Sequence, residues 1–159
     1  GVAVLPISCV ISPHKSKHEL LKRHTLEAVM SLPDELFAPV GTITCAMVLT
    51  AHVPHAQSNK RTWFGYWKDD GFVRTKHLGR IDQNDRWRTI RDHWVDTFRN
   101  RDVIPGESVS RKVTADDEWC AEAYMETDYS TLSASDFERE VRKYVAFRVL
   151  HSDESGEEV

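Results

Sequence analysis

Histidines, cysteines and carboxylates are the side chains of this sequence whose types and spacing could do chemistry. His52-Val53-Pro54-His55 offers two imidazoles that could share a metal ion. Proline between them works against a helical pair of ligands and no third ligand cluster lies nearby, so the spacing reads as a polar loop after a strand. Cys9, Cys45 and Cys120 are far apart, and the first two stand in apolar runs. There a thiol behaves as a small hydrophobe, not as the partly exposed thiolate that nucleophilic catalysis needs. The three suggest no disulfide framework. Asp116-Asp117-Glu118 reads as a solvated face or a helix start before it reads as a metal site. No glycine-rich phosphate loop and no glycine-rich cofactor fingerprint occurs. Spacing alone therefore assembles no complete active site, and it assigns no catalytic residue, no cofactor-binding residue and no metal ligand.

Charge is distributed unevenly. Residues 1–59 balance, with 4 Lys and Arg against 4 Asp and Glu; residues 60–101 carry 11 against 6, a net +5; residues 102–159 carry 6 against 15, a net −9. The basic middle also holds Trp63, Trp67, Trp87 and Trp94. Clustered Lys and Arg with aromatics between them are the footprint of nucleic-acid contact, although the same residues also coat the outer faces of a strand and an amphipathic helix.

The elements that must position these residues follow from periodicity. "GVAVLPISCVI" opens the chain as a nearly unbroken apolar strand, expected to be covered on both faces as in a parallel sheet between helices. It starts without Met and without a polar lead-in, so the chain is expected to be cut from a longer parent. Ser16 and Glu19 have capping-box spacing and predict a helix to about His24, with Leu20 and Leu21 inward. "TLEAVMSL" is a second strand, broken at Pro33-Asp34-Glu35. Thr42–Thr50 is a third, apolar on both alternations and hence interior. "KRTWFGYW", residues 60–67, is a fourth, ended by the Asp70-Gly71 turn signal. Between Asn84 and Arg101, the spacing of Trp87, Ile90, Trp94 and Phe98 predicts a helix packed through its tryptophans, with Arg88, Asp92 and Arg99 on a flank. Residues 102–118 read as a connecting loop. Ser133 to Asp136 signals a last helix with Phe137, Val141, Tyr144 and Val145 on one face, and "SDESGEEV" reads as a disordered tail. The length of 159 residues suits one compact domain, or one small core plus an arm. No run approaches the apolar length of a membrane span and no secretion leader opens the chain, so a cytoplasmic protein without membrane contact is expected.

The succession "GVAVLPISCVI", short helix, "LEAVMSLPDELF", "GTITCAMVL" resembles the second half of the catalytic domain of N6-adenine DNA methyltransferases. Specifically, it resembles the modification (M) subunits of type I restriction-modification systems. The matching positions are Leu5-Pro6, Leu26-Glu27-Ala28-Val29, Ser31-Leu32-Pro33, Leu36-Phe37, Gly41, Thr44-Cys45 and Val48-Leu49. "DDGF" and "WVDTFRNR" stand where that family has a further strand, a polar turn and a helix, and "DEWCAEAYMETDYS" looks like its exit toward a target-recognition region. The family pattern often has glycine where Pro39 stands and proline where Ile43 stands.

The resemblance implies an α/β fold: the C-terminal part of a Rossmann-like, S-adenosylmethionine-dependent methyltransferase sheet, with terminal strands that include an antiparallel hairpin, and a helical extension. It implies three regions, with 1–102 the end of the catalytic domain, 103–150 a linker and helical extension, and 151–159 the acidic tail. The loop between the hairpin strands would reach the rim of the pocket for the extruded adenine, with Phe37, Gly41 and Thr42 near its wall. Arg88 and Arg99 would contact DNA. Partners would be DNA and the specificity (S) and restriction (R) subunits, and the first strand, lacking its family neighbour, would leave an edge open to self-association. The family's glycine motif for S-adenosylmethionine and its Asn/Asp-Pro-Pro-Tyr/Phe motif for the flipped adenine belong to strands placed upstream of Gly1. The parent would use that cofactor, whereas this chain alone is expected to bind none and to methylate nothing. A non-catalytic module that binds nucleic acid or a partner subunit is the alternative reading.

Overall fold

A computed structural model describes residues 1–125 and 132–151. The chain forms two compact units, Gly1–Glu126 and Thr127–Val159. The first is built on a five-stranded mixed sheet of β1 (Val2–Pro6), β2 (Thr25–Ser31), β3 (Thr44–Thr50), β4 (Thr62–Tyr66) and β7 (Ser108–Arg111) in the order β1-β3-β2-β4-β7. β3 is antiparallel to both of its neighbours, β2 and β4 are parallel, and β7 is antiparallel to β4. β1, β2 and β4 therefore point the same way. Short helices α1 (Ser8–Ile11), α2 (Lys15–Arg23) and α3 (His55–Ser58), the longer α4 (Trp87–Asn100) and a small β5–β6 hairpin (Val73–Thr75, Gly79–Ile81) complete the unit. The second unit contains α5 (Ala134–His151). The tail expected to be disordered lies, from residue 152 on, outside the described residues.

β3 is interior because both of its faces are apolar. Cys45 and Met47 point to one layer, together with Val10, Leu26, Val29, Phe64, Val113, Trp119 and Ala121, and α2 packs there through Leu20 and Leu21. Ala28, Met30 and Trp63 face the other layer, against the half-buried Ala46, Val48, Trp67 and Phe98. Leu26 and Val29 share a face despite their odd spacing because a bulge between Leu26 and Ala28 inserts Glu27. The Glu27 carboxylate accepts hydrogen bonds from Lys60 Nζ at 2.7 Å and Thr50 Oγ1 at 2.8 Å. Burial pushes its pKa up, but these two partners outweigh that effect and leave it below the ordinary carboxylate value.

The second layer is closed by aromatics, as the helical spacing predicts. Trp67 and Trp94 stack with centroids 5.0 Å apart and planes within 1°. Trp63 meets Phe98 edge-on at 5.7 Å, and Trp87 meets Trp94 edge-on at 5.8 Å. The fully buried tryptophans, however, are Trp63 and Trp119, while Trp87 and Trp94 are only half-buried.

Several expectations are corrected. The opening strand ends at Pro6, and α1 begins at Ser8, so Cys9 is exposed on a helical turn and not buried in a strand. β1 is an edge strand with Val2 and Val4 exposed, and is not covered on both faces: the cover over this layer extends only to Ala46 and Val48 of β3. The cap of α2 is His14, whose Nδ1 accepts from the Ser16 N–H at 3.1 Å, while Glu19 pairs with Lys22. Residues 102–118 are not a plain loop. They contain β7, and the segment that follows brings Val113, Ala115 and Trp119 into the core. Trp119 N–H donates to Val10 O at 3.0 Å, so residues 103–125 pack as part of the first compact unit.

Candidate functional site

In open α/β sheets, ligands gather at the carboxyl ends of the parallel strands. Here those ends are Pro6 of β1, Ser31 of β2 and Tyr66 of β4, which lie along one rim because the three strands run in one direction. The loop over 32–43 crosses this rim. Its ends are pinned by Leu32 N–H to Thr44 O at 3.0 Å and Ile7 N–H to Ile43 O at 2.9 Å. Between the pins it winds through turns closed by Leu36 N–H to Pro33 O, Ala38 N–H to Glu35 O and Val40 N–H to Phe37 O. Leu36, Phe37, Val40 and Ile43 are exposed, at 37%, 48%, 61% and 40%. Four large apolar groups on one loop make a surface that packing inside this unit does not explain.

Of the residues expected at a base pocket, Phe37 and Gly41 are exposed and Thr42 is half-buried, all on this loop. Gly41 is not required by backbone strain or by packing: its φ is not left-handed, and an added Cβ would meet nothing within 4 Å.

Beneath the loop lies an ionic cluster without a local sequence signal. Lys68 Nζ donates to Asp34 Oδ1 at 2.6 Å and approaches Glu122 Oε1 at 3.4 Å, and Glu122 in turn accepts from the buried Ser31 hydroxyl. Burial opposes the Lys68 charge, but Asp34 and Glu122 prevail and raise its pKa. Beside them Arg80 Nη2 spans the carboxylate of the buried Asp70 at 2.7 and 2.9 Å. Pro33, Asp34, Glu35, Lys68, Asp69, Asp70, Phe72 and Arg80 enclose about 220 Å³. That volume is below the roughly 300 Å³ at which small-molecule pockets begin. Asp34 and Asp70 are taken up by Lys68 and Arg80, and Asp69 accepts from Arg86 at 2.8 Å. These residues do not by themselves fit S-adenosylmethionine.

α4 starts at the rim, where Trp87 meets Phe72 at 5.9 Å, and runs away from it to a C-terminus near the start of β4, where Trp63 Nε1 donates to Asp102 O at 2.8 Å. Arg88 and Arg99 are exposed, and among the described residues neither forms an ion pair. They share a helical face but stand about 16 Å apart along the axis, so only Arg88 lies toward the rim.

The remaining candidates have structural duties. His55 is buried, and its Nδ1 accepts from Leu26 N–H at 3.3 Å, whereas the His52 N–H donates to His24 Nδ1 at 3.1 Å. The two imidazoles therefore do not converge. Burial lowers the pKa of His55 against the opposing charge of Glu27, which favours the neutral form that this acceptor role needs. Burial also pushes the Cys45 thiol up to about 12, leaving it a poor nucleophile. In the acidic run, Asp117 caps Thr114 through Oδ2, and its carbonyl accepts from Lys17 Nζ. Lys17 is itself buried, lies 4.6 Å from the Trp119 ring centroid, and has its pKa lowered by desolvation against the nearby acids. Among the described residues, no helix is long and apolar enough to cross a membrane.

Comparison with known proteins agrees with this geometry. The first two structures it resembles are a type I restriction-modification system methyltransferase subunit from Streptococcus thermophilus and a modification subunit assigned to a type I restriction enzyme from Vibrio vulnificus YJ016. The first has TM-score 0.60 and 15% identity over 79% of this chain and 26% of the other. The second has TM-score 0.52 and 14% identity over 83% and 28%. These likenesses establish the fold class expected from the sequence. A curated relative, the type II restriction enzyme and methyltransferase RM.BcgI of Heyndrickxia coagulans, is 29% identical over 151 residues, which is 92% of this chain and 23% of the relative. The chain thus spans about a quarter of the length of the proteins it matches. The N-6 DNA Methylase pattern matches residues 12–153, most of the sequence, and on that match the chain belongs to the N-6 DNA methylase family.

Proposed function

We propose that this chain is the C-terminal part of the catalytic domain of an S-adenosylmethionine-dependent adenine N6-methyltransferase acting on duplex DNA in the cytoplasm. In this reading the parent protein carries the cofactor and catalytic motifs, and its partners are the specificity and restriction subunits of a type I system. The observation that carries the proposal is the rim where β1, β2 and β4 all end, crossed by a pinned loop whose apolar side chains face outward. An enzyme that modifies an exocyclic base nitrogen must extrude the base and hold it by shape and stacking. Phe37, Gly41 and Thr42 form one wall of that pocket: Phe37 supplies an aromatic face, and Gly41, which carries no packing duty, lets the backbone approach closely. Arg88 and Arg99 neutralise phosphates along the α4 flank.

The test is to express the parent reading frame, with its neighbouring subunit genes, in a host without adenine methylation and to map N6-methyladenine across the genomic DNA. A single recognised sequence fully modified at one adenine is the expected result. An unmodified genome, from protein that is folded and assembled, would overturn the proposal in favour of a non-catalytic binding module.

A further inference from the structure

The β5–β6 hairpin belongs neither to the pocket wall nor to the α4 flank. Residues 73–80, "VRTKHLGR", contain Arg74, Lys76 and Arg80 and no acid. In register, Arg74 faces Arg80 directly across the ladder. Like charges in that position are destabilising, and a two-stranded ribbon of three residues a side has little stability of its own. It is held from its base. Arg80 is neutralised by the buried Asp70 and lies 5.5 Å over the Phe72 ring, and Phe72 packs on Trp87 of α4. Gly71, at φ +80°, makes the turn into the hairpin, and a Cβ there would lie 2.9 Å from Arg86 Cβ.

The far end is free of such ties. Thr75 Oγ1 donates to Gly79 O at 2.9 Å and accepts from Leu78 N–H at 3.0 Å, which fixes the tip as a tight turn. That turn presents Lys76, His77 and Leu78 outward, and Leu78 is 75% exposed, more than any other large apolar residue described. The hairpin stands at the same rim as the 32–43 loop: Arg74 Nη1 is 4.0 Å from Glu35 Oε1, and Pro33, Glu35, Phe72 and Arg80 line one cavity. A rigidly based ribbon that carries the exposed Arg74 and Lys76 and ends in an apolar tip, beside the proposed base pocket, is complementary to DNA, whose major groove admits a two-stranded ribbon and whose base steps accept apolar wedges.

We propose that the β5–β6 hairpin enters the DNA at the target site, with Arg74 and Lys76 on backbone phosphates and Leu78 inserted where the target adenine leaves the stack. This rests on the methyltransferase reading, and it assigns the hairpin a role in extrusion that the loop and α4 do not fill.

The test uses the parent protein, assembled with its subunits, and two duplexes of the sequence it methylates: one with 2-aminopurine at the target position, which reports extrusion, and one with the target adenine in place, on which methylation is measured. Leu78→Ala is expected to keep the wild-type melting temperature, since the side chain is 75% exposed, and to lower the 2-aminopurine signal, and on the adenine duplex the methylation rate, at least about tenfold. A mismatch opposite the target base, which weakens the pairing to be broken, is expected to restore the rate. The double variant Arg74→Ala, Lys76→Ala is expected to reduce the slope of log K against log salt by about 1.8, two phosphate contacts at about 0.9 each. Wild-type flipping and salt dependence in both variants would overturn the hairpin's role and leave the methyltransferase reading intact. Failure of the variants to assemble with their subunits in the absence of DNA would overturn it in favour of a protein interface. Wild-type protein that neither binds nor methylates DNA would overturn the underlying reading and this inference with it.

Discussion

Gly65→Ala should destabilise the first compact unit by about 2–3 kcal/mol, although alanine is the better strand residue. A Cβ on Gly65 would lie 2.6 and 2.7 Å from two carbons of the Trp63 indole and 3.2 Å from Trp67 Nε1. Trp63 cannot swing aside cheaply. It is 1% exposed, meets Phe98 edge-on, and its Nε1 donates to Asp102 O, so rotation would break that bond and loosen the seat of α4. Overpacking costs about 1–3 kcal/mol and the broken hydrogen bond about 1, while the lower chain entropy of alanine in the unfolded state returns about 0.4–1. With a urea slope of about 1–3 kcal/mol per molar, the midpoint should fall by roughly 1 M. Equilibrium urea unfolding followed by tryptophan fluorescence reads this shift, and near-ultraviolet circular dichroism reports whether the Trp67–Trp94 stack survives. A midpoint equal to or above the wild type with an unchanged spectrum would refute the packing argument.

Other outcomes follow from the same structure. His55 is held neutral by burial, so its folded pKa lies below the unfolded value of about 6.5. Its contribution is complete above that value and is lost as pH falls toward the folded pKa, because the unfolded state then binds the proton first. The stability difference between wild type and His55→Gln should therefore narrow from pH 7.5 to 5, and a constant difference would remove His55 from the acid response. The 159-residue chain should show no S-adenosylmethionine binding by calorimetry, and a micromolar dissociation constant would contradict the assignment of that site to upstream strands of the parent. Open β1, with exposed Val2 and Val4, should drive concentration-dependent self-association in sedimentation; a strict monomer with rapid amide exchange across residues 2–6 would contradict it. Replacing Arg88 and Arg99 with alanine in the assembled parent should lower the salt slope of DNA binding by about 0.9 for each phosphate no longer neutralised, equally for all sequences.

Much of the sheet was legible because its strands announce themselves. β2, β3 and β4 are apolar and bounded by Pro33, Gly41 and Asp70-Gly71, and α4 repeats its aromatics at helical spacing. What escaped lacks such local signals. β7 reads Ser-Val-Ser-Arg, and it is a strand only because β4 offers it a free edge. β5 and β6 are three residues each and depend on an ion pair at their base. His14 displaced Ser16 as the cap because an imidazole nitrogen can accept a backbone hydrogen bond as a hydroxyl can. The rim loop was visible in the motif from Ser31 to Val48, but its underpinning was not: Lys68 and Asp34 are 34 residues apart, and nothing in either neighbourhood marks them as partners.

The central claim, that the 32–43 loop walls the pocket for the extruded adenine, is tested most directly by photocrosslinking. The assembled parent protein is irradiated on a duplex with 5-iodouracil in place of the target adenine, and the attached peptide is identified by mass spectrometry. The expected adduct lies within residues 32–43, centred on Phe37 and reduced by Phe37→Ala. An adduct that forms with normal efficiency but lies wholly outside this loop, and that Phe37→Ala does not change, would contradict the claim.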